Sequence, residues 1–348
     1  MSASKRESKA NPWYGIEEDL VRGLYLGLLG REPDVPGMMY WITRVQAGDS
    51  IDGIAHEILH GDECRQRKDK GLFKQPYQAL CHRVAEWASV ALSARPLICA
   101  DVSVIKLQYE NQFYDQLNAF KIPHRIMAYG PSDHLPHEVG GKLTLSADFI
   151  CDGSVRDFHL NEPDYTSSFL PFHSWVKERV VNDRHLSTMK VDSVQTHTVD
   201  HAMRDIAHVD LLKINIHGLE LLTLQNAISI LQRTDIVHCN VSFIDMYEGQ
   251  SNFNEVEQYL KKQGFEFIDF YEQRHYSFAA TPFSWSRDLL GQVGAVFFRR
   301  LQSEAAVDGI ISQSLLALMV YQKPSMAAWL AKHLEPDHPW ATLFSAYT

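Results

Sequence analysis

The sequence lacks three features that would each assign it to a class of protein. Lys and Arg number 33 against 43 Asp and Glu, a formal net charge of −10, which argues against a nucleic-acid partner held by a basic surface. No apolar run approaches the ~20 residues that span a bilayer, and the polar first residues carry no apolar leader. The five cysteines show no Cys-x-x-Cys spacing, so neither a zinc site nor a disulfide framework is expected. Together these absences favour a cytoplasmic globular protein with reduced thiols.

The most informative stretch begins at Val209 and ends at Leu231. Its first part, up to Ile216, is a short apolar run with β-branched residues, which predicts a strand buried on both faces. Gly218 interrupts the run, and leucines and isoleucines spaced three or four apart then predict a helix. Strand, glycine turn and helix form the unit of a doubly wound α/β sheet, in which ligands bind at the carboxyl ends of the strands. This places Asn215, His217 and Glu220 at a candidate site.

Residues before the α/β pattern are predicted to be helical, and 348 residues suffice for two domains. Residues 1–12 are small, charged and polar, which is typical of disorder. Residues 13–70 are predicted to form a helical module in which Asp34 and Ser50 cap the second and third helices. Residues 71–95 are predicted to form a linking helix with one apolar side.

Alternating strands and helices predict one α/β domain over residues 96–300. Strands are predicted at 97–102, 125–129, 189–199, 209–216, 236–243, 265–270 and 294–298. Shorter helices are predicted at 111–120, 200–206 and 254–263. The segment 132–141 is rich in Pro, Gly, His and charge and is predicted to be a loop; nothing fixes the geometry of its histidines and carboxylates, so no metal site is predicted there.

Residues 301–348 are predicted to form a tail with two apolar helices, one over 310–319 and one around Trp329. A tail of this kind is expected to pack on its own domain. The alternative is that one of its helices binds the groove of a partner protein.

The first resemblance lies in the helical module. The pattern Leu29-Gly30-Arg31-Glu32-x-Asp34-x-x-Gly37-x-x-Tyr40-Trp41, followed by Gly48, Ile51 and Glu63, resembles a small helical family of unknown function. That module is found attached to bacterial surface and glycan-processing proteins, so the resemblance implies a bacterial protein but no chemistry. Tyr40 and Trp41 are expected to pack in the core of the module, because large aromatic residues dominate small cores.

The second resemblance covers residues 96–300. The run Lys213-x-Asn215-x-His217-Gly218-x-Glu220 resembles the Lys-x-Asp-x-x-Gly-x-Glu signature of FkbM-type S-adenosylmethionine-dependent methyltransferases. Further pieces fall in the order of that family: Asp101-Val102, Tyr114 to Leu117, Arg125 to Pro131, Ser167-Ser168, Thr198-x-Asp200, Val241-Ser242-Phe243, Tyr247-Glu248-Gly249-Gln250 with Phe253, and Ala295-Val296-Phe297. The resemblance implies a Rossmann-like methyltransferase domain with a mostly parallel, doubly wound sheet.

The resemblance also implies a site with two sides. S-adenosylmethionine is expected beside Asp101, Ser103, Gly130 and Asp133. The hydroxyl of a glycan or small metabolite is expected beside the candidate catalytic residues Lys213, Asn215, His217 and Glu220. The imidazole of His217 titrates near neutrality and is a candidate base. Lys213 lies within a predicted buried strand and needs a partner, for which Glu220 is the candidate.

Several positions depart from the family pattern. The first turn, Asp101 to Ile105, has no glycine, and Gly130 stands where the family has Glu before Pro. Asn215 replaces Asp, Asn240 stands where Glu is common, and Gly294 stands where Asp is common. A lost charge-assisted hydrogen bond to the ribose costs about 1.5–3 kcal/mol, which Asp133 could restore.

Two functions therefore follow from the sequence. One is an S-adenosylmethionine-dependent O-methyltransferase acting on a glycan or small metabolite. The other is a catalytically inactive protein of the same fold that binds protein or glycan partners through the helical module or the tail. Neither function calls for nucleic acid or a membrane span, and the sequence names neither the acceptor nor the oligomeric state.

Overall fold

The computed structural model describes residues 16–29, 33–61, 75–104, 112–131, 137–139, 143–162, 164–179, 186–278, 281, 287–301 and 306–345. The chain divides into two compact units, Met1–His82 and Arg83–Thr348.

The described residues of the first unit form α1 (Ile16–Leu29), α2 (Val35–Gln46) and α3 (Ile51–His60) before residue 62. Both predicted caps are confirmed: the Asp34 carboxylate accepts a hydrogen bond from Gly37 N (2.7 Å), and the Ser50 hydroxyl accepts one from Gly53 N (3.1 Å). Helix α1 packs against both α2 and α3. The buried core residues of this unit are Val21, Tyr25, Leu29, Ile54 and Ile58.

The predicted core positions of the two aromatic residues are half confirmed. Trp41 packs against the core, and its indole N–H donates to the hydroxyl of Tyr25 (3.0 Å). Tyr40 is 55% exposed, so the prediction is wrong for this residue. Its ring lies on the outer surface of α2, where the guanidinium of Arg44 stands 5.8 Å from the ring centroid, whereas Tyr25 is buried and Trp41 is partly buried.

Helix α4 (Gln75–Ala91) precedes the described strands. The described strands are β1 (Leu97–Ser103), β2 (His124–Tyr129), β3 (His137–Val139), β4 (Leu143–Ser146), β5 (Phe149–Cys151), β6 (Val155–Glu162), β7 (Ser187–Thr198), β8 (Val209–Asn215), β9 (Thr234–Ser242), β10 (Phe265–Tyr271), β11 (His275–Tyr276), β12 (Leu289–Leu290) and β13 (Gln292–Arg299). The later helices are α5 (Asp115–Ala119), α6 (Ser174–Arg179), α7 (Val199–Ala202), α8 (Glu220–Gln225), α9 (Ile228–Gln232), α10 (Phe253–Lys262), α11 (Val307–Met319), α12 (Pro324–Ala331) and α13 (Pro339–Phe344).

Eight strands form the central sheet, in the order β10-β13-β9-β8-β1-β2-β4-β3. Strands β4, β2, β1, β8 and β9 pair in parallel, whereas β13 is antiparallel to both β9 and β10. The mostly parallel α/β fold predicted from the sequence is therefore confirmed. The chain leaves β1 towards β2 and later returns to β8 on the other side of β1. Strand order reverses between β1 and β8, which is where doubly wound sheets bind ligands.

Two sequence expectations for the second unit, one for a strand and one for a helix, are wrong. Segment 132–141 was expected to be a loop, but residues 137–139 form β3, which pairs antiparallel with β4; β4 was not predicted at all. The apolar pattern after Gly218 predicts one helix, whereas the structure has α8 and α9, separated at Asn226. The amide of Asn226 donates to Leu222 O (2.9 Å), a side-chain bond to the backbone that competes with continuing the helix.

One face of the sheet packs against α8, α9 and α10 through buried residues such as Leu212, Val237, Leu224 and Leu260. The tail packs on this unit as expected, since α11 contacts β8 and β9. Among the described residues no helix combines the length and apolarity needed to cross a membrane.

Candidate functional site

A row of polar side chains crosses three neighbouring strands of the sheet. Asp101 of β1 is the register partner of Lys213 of β8, and Lys213 is the partner of His238 of β9. Register partners project from the same side of a sheet. The ammonium of Lys213 lies 3.5 Å from the carboxylate of Asp101, with 17% and 7% of these side chains exposed. The partner of Lys213 is therefore Asp101, whereas the sequence had suggested Glu220.

Aromatic rings surround this row. The Lys213 ammonium lies 5.2 Å from the ring centroid of Phe113, and the same ring meets His238 edge to face at 5.1 Å. Tyr321, in the tail, completes the cluster, with its hydroxyl 3.4 Å from Nδ1 of His238. Burial, and then the charge of Lys213, lowers the pKa of His238 to about 3. His238 is consequently neutral at physiological pH.

Gly294 makes room for the His238 ring. A Cβ atom at position 294 would lie 2.2 Å from Nε2 of His238. The sequence identified Gly294 only as a departure from the family pattern, and it missed His238. The available signal was periodicity, because His238 precedes Asn240 by two residues and therefore projects from the same face of β9.

The turn after β8 holds His217 in a fixed position. His217 and Gly218 have φ of 54° and 110°, and the His217 carbonyl accepts a hydrogen bond from Ser168 Oγ (2.6 Å). Nδ1 of His217 lies 2.8 Å from the carbonyl oxygen of Ser167. Because that oxygen can only accept, Nδ1 carries the proton and Nε2 carries the lone pair in the neutral ring. The two serines and the signature, which the sequence placed only in order, therefore meet in space.

Burial makes this histidine neutral. His217 is 3% exposed, and burial lowers its pKa to about 4, although the hydrogen bond to Ser167 acts in the opposite direction. Its ring lies parallel to that of Tyr247, with centroids 6.2 Å apart. At pH 7 His217 is thus an oriented hydrogen-bond acceptor.

Glu220 stabilises the same turn. Its carboxylate accepts hydrogen bonds from Gly218 N (2.8 Å) and Ile216 N (3.2 Å). Burial raises the pKa of Glu220 to about 7, against backbone N–H groups that favour the carboxylate. The structure therefore places Glu220 where it supports the turn that carries His217.

The other three candidate catalytic residues line a small polar pocket. Lys213, Asn215 and His217 share it with His238, Asn240 and Gly294, and with Glu272 and Arg274 from the segment after β10. The pocket offers about 40 Å³ to water molecules. At its base the Asn240 amide donates to Oδ1 of Asn215 (2.8 Å). The two asparagines that replace acidic residues of the family pattern are thus hydrogen-bonded to each other.

The residues that the sequence placed beside a donor are described in part. Ser103 ends β1 as the register partner of Asn215, and the buried Gly130 follows β2, where its N–H donates to Ser146 O (3.2 Å). Asp133 lies outside the described residues. The sequence missed Asp148, which follows β4, hydrogen-bonds Ser146 and, after burial, helps to raise the pKa of Tyr129 to about 12.

These residues fit the donor in their chemistry. A hydroxyl, a glycine that permits close approach and a carboxylate near the ends of β1, β2 and β4 are the groups that nucleoside-containing ligands use. Asp101, which the sequence also placed beside the donor, forms an ion pair with Lys213.

A second polar cluster lies at the opposite, amino-terminal ends of β8 and β9. Ligand atoms of His208, Asp210 and Asp235 lie within 4.8 Å of one another. These atoms already have hydrogen-bond partners within the protein. Nε2 of His208 lies 2.8 Å from the carboxylate of Asp235, and Asp210 accepts hydrogen bonds from Ile98 N (2.6 Å) and Ser312 Oγ (2.5 Å). This cluster fastens α11 to the sheet.

Comparison with known proteins agrees with this geometry. Residues 103–267 match the family described as the methyltransferase FkbM domain, within the range 96–300 suggested by the sequence. No curated protein matches the chain. The strand order and the signature turn described above agree with this match, so residues 103–267 are similar in sequence to methyltransferase FkbM domains.

Proposed function

We propose that the second unit is an S-adenosylmethionine-dependent O-methyltransferase that acts on a hydroxyl of a glycan or small metabolite. The observation that carries the proposal is His217, which lines the polar pocket and is held by Ser167 with its proton on Nδ1. An oriented neutral imidazole is suited to accept the hydrogen bond, and then the proton, of an acceptor hydroxyl.

The other residues have positioning roles in this proposal. The amides of Asn215 and Asn240 orient the acceptor, and Lys213 forms part of the pocket wall with its charge paired to Asp101. Glu220 maintains the turn that presents His217. S-adenosylmethionine, when bound, supplies the methyl group. Because methyl transfer is a direct displacement, holding the two reactants in line provides much of the rate.

Residues at the ends of β1 and β2 are proposed to bind the donor. Ser103, Gly130 and Asp133 retain this role from the sequence, and Asp148 joins them because it follows β4 beside β2. Asp101 is proposed to act through Lys213, since their charges are paired.

One observation favours the alternative of an inactive binding protein. The buried Asp101 is engaged by Lys213, and Gly130 stands where the family has an acidic residue. A domain of this kind would retain the fold and bind protein or glycan partners through the helical module or the tail.

Calorimetry with S-adenosylmethionine and its demethylated product distinguishes the two functions. A donor at 100 times its dissociation constant stabilises the fold by about 2.7 kcal/mol, so a rise in melting temperature should accompany binding. The Asp148→Asn variant should weaken donor binding, whereas Asp157→Asn, at an exposed position of β6, should not. Absence of binding at millimolar donor would refute the methyltransferase proposal.

A further inference from the structure

Arg274 contributes a positive charge to the rim of the pocket. It lines the pocket with Glu272, and within the described part of the chain no carboxylate lies within ion-pair distance of its guanidinium. Lys213, the other cation of the pocket wall, is by contrast paired with Asp101. The charge that faces an incoming acceptor is therefore set by Arg274 and Glu272.

The structure fixes the position of Arg274. Its backbone N–H donates to Gln292 O (2.8 Å), and its carbonyl accepts from Gly291 N (2.8 Å), so the residue is anchored to the start of β13. Its guanidinium lies 5.8 Å from the ring centroid of Tyr165. A guanidinium over an aromatic face keeps its edge N–H groups available for a bidentate anion.

Arg274 also lies close to the proposed base. After burial and the hydrogen bond to Ser167, its charge is among the causes that set the pKa of His217, and it acts on the pKa of Tyr247 as well. A group bound by Arg274 would therefore be near a hydroxyl that contacts His217. Glu272, which has φ of 51°, adds a carboxylate that accepts hydrogen bonds from hydroxyl groups.

From this arrangement we infer that the acceptor is a hydroxylated anion, such as a sugar acid or a sugar phosphate, whose anionic group is bound by Arg274. The inference rests on the proposed function and makes it more specific. Arg274 binds the carboxylate or phosphate, Glu272 and the two asparagines bind hydroxyl groups, and the hydroxyl to be methylated faces His217. A neutral sugar would satisfy the same hydroxyl contacts but would leave Arg274 without its ligand.

The test measures the binding of three probes to the full chain by calorimetry: glucose, glucuronate and glucose 6-phosphate. Both anions, or one of them, should bind at least 10-fold more tightly than glucose. Arg274→Gln should weaken that anion by about 10- to 100-fold, the range of a charge-assisted hydrogen-bonded pair, and should leave glucose unchanged. Arg274→Lys should restore phosphate binding more fully than carboxylate binding, because the ammonium is a point charge without the bidentate fork.

Arg287→Gln is the matched control, because Arg287 is exposed and contacts His275 outside the pocket wall. If this variant loses the anion as strongly as Arg274→Gln, the effect is general electrostatics and the inference is wrong. Equal binding of glucose and the anions also overturns the inference. So does the absence of binding of every probe at concentrations on the order of tens of millimolar. Melting temperatures of both variants should match the parent chain.

Donor binding separates this inference from the proposed function. If S-adenosylmethionine binds and the anions do not, the methyltransferase proposal stands and the acceptor class is wrong. If the anions bind through Arg274 and the donor does not, the pocket is an anion-binding site in a protein that has lost methyl transfer.

Discussion

The ion pair between Asp101 and Lys213 gives a quantitative test of the site. Replacing Lys213 by Met retains an apolar stem but removes the ammonium, so the Asp101 side chain, only 7% exposed, loses this cation. Removing one partner of a buried ion pair costs about 3–5 kcal/mol. Because 17% of the Lys213 side chain reaches solvent, we expect a cost near the lower end, about 3 kcal/mol.

The double variant Asp101→Asn, Lys213→Met should be much less destabilised than Lys213→Met alone. With both charges removed there is no uncompensated buried carboxylate, and replacement of a buried pair by neutral groups is often nearly neutral. A double-mutant cycle should therefore show an interaction energy of about 2 kcal/mol or more.

Equilibrium urea unfolding of the full chain, followed by near-ultraviolet circular dichroism, measures these free energies. Lys190→Met is the matched control, because Lys190 forms an exposed pair with Asp192 and has 64% of its side chain accessible; exposed pairs contribute about 0–1 kcal/mol. The reasoning is refuted if Lys213→Met costs no more than Lys190→Met, or if the costs of the Asp101 and Lys213 replacements simply add.

Three further predictions concern His238, His217 and the partly buried His208. Gly294→Ala should cost about 1–3 kcal/mol of unfolding free energy, because a Cβ would lie 2.2 Å from His238, and adding His238→Ala should recover part of it; full additivity would contradict the clash. His217, with its pKa lowered to about 4 from 6.5, contributes stability that is present above pH 6.5 and lost as pH falls through 4, so the melting temperature of His217→Asn should vary less over that interval. For His208, burial lowers the pKa, but the hydrogen bond and charge of Asp235 raise it above 6.5 overall. The stability that His208 contributes is therefore present below pH 6.5 and lost as pH rises through its pKa in the folded protein. If the melting temperature of His208→Gln falls with rising pH as steeply as that of the parent chain, this prediction is wrong.

Local sequence patterns were sufficient to predict the elements that have strong periodicity or clear caps. The helix caps Asp34 and Ser50 and the glycine turn after β8 are encoded within a few residues of the elements they end or begin. Strands β3 and β4 were missed because each has only three or four residues, too few to show an alternating pattern. What makes β4 a strand is its parallel pairing with β2, an interaction that is not local in sequence.

The partners within the site could not be predicted for a similar reason. Asp101 and Lys213 are 112 residues apart, and their contact depends on the register of β1 against β8. The sequence offered Glu220 as the partner because it is close along the chain. Once the register is known, the side of the sheet on which each residue projects follows from alternation alone, and His238 would be found in the same row.

Register also changes how the departures from the family pattern should be interpreted. Considered one at a time, Asn215, Asn240 and Gly294 suggest a site that has lost its acidic groups. In the structure they occur as complementary sets: the asparagines hydrogen-bond each other across β8 and β9, and Gly294 admits the ring of His238. Acidic groups at both asparagine positions would place like charges side by side, which is unfavourable without a cation between them.

An abandoned site would be free to become apolar, because buried polar groups cost free energy unless they are hydrogen-bonded. This pocket is polar: the amides of Asn215 and Asn240 are hydrogen-bonded to each other, and Ser167 holds His217 in one orientation. Arg274 adds a fixed positive charge at its rim. Amide and guanidinium groups donate hydrogen bonds to an anion, whereas carboxylates at both asparagine positions would repel it. The polar groups of this pocket are therefore compatible with the anionic acceptor inferred above.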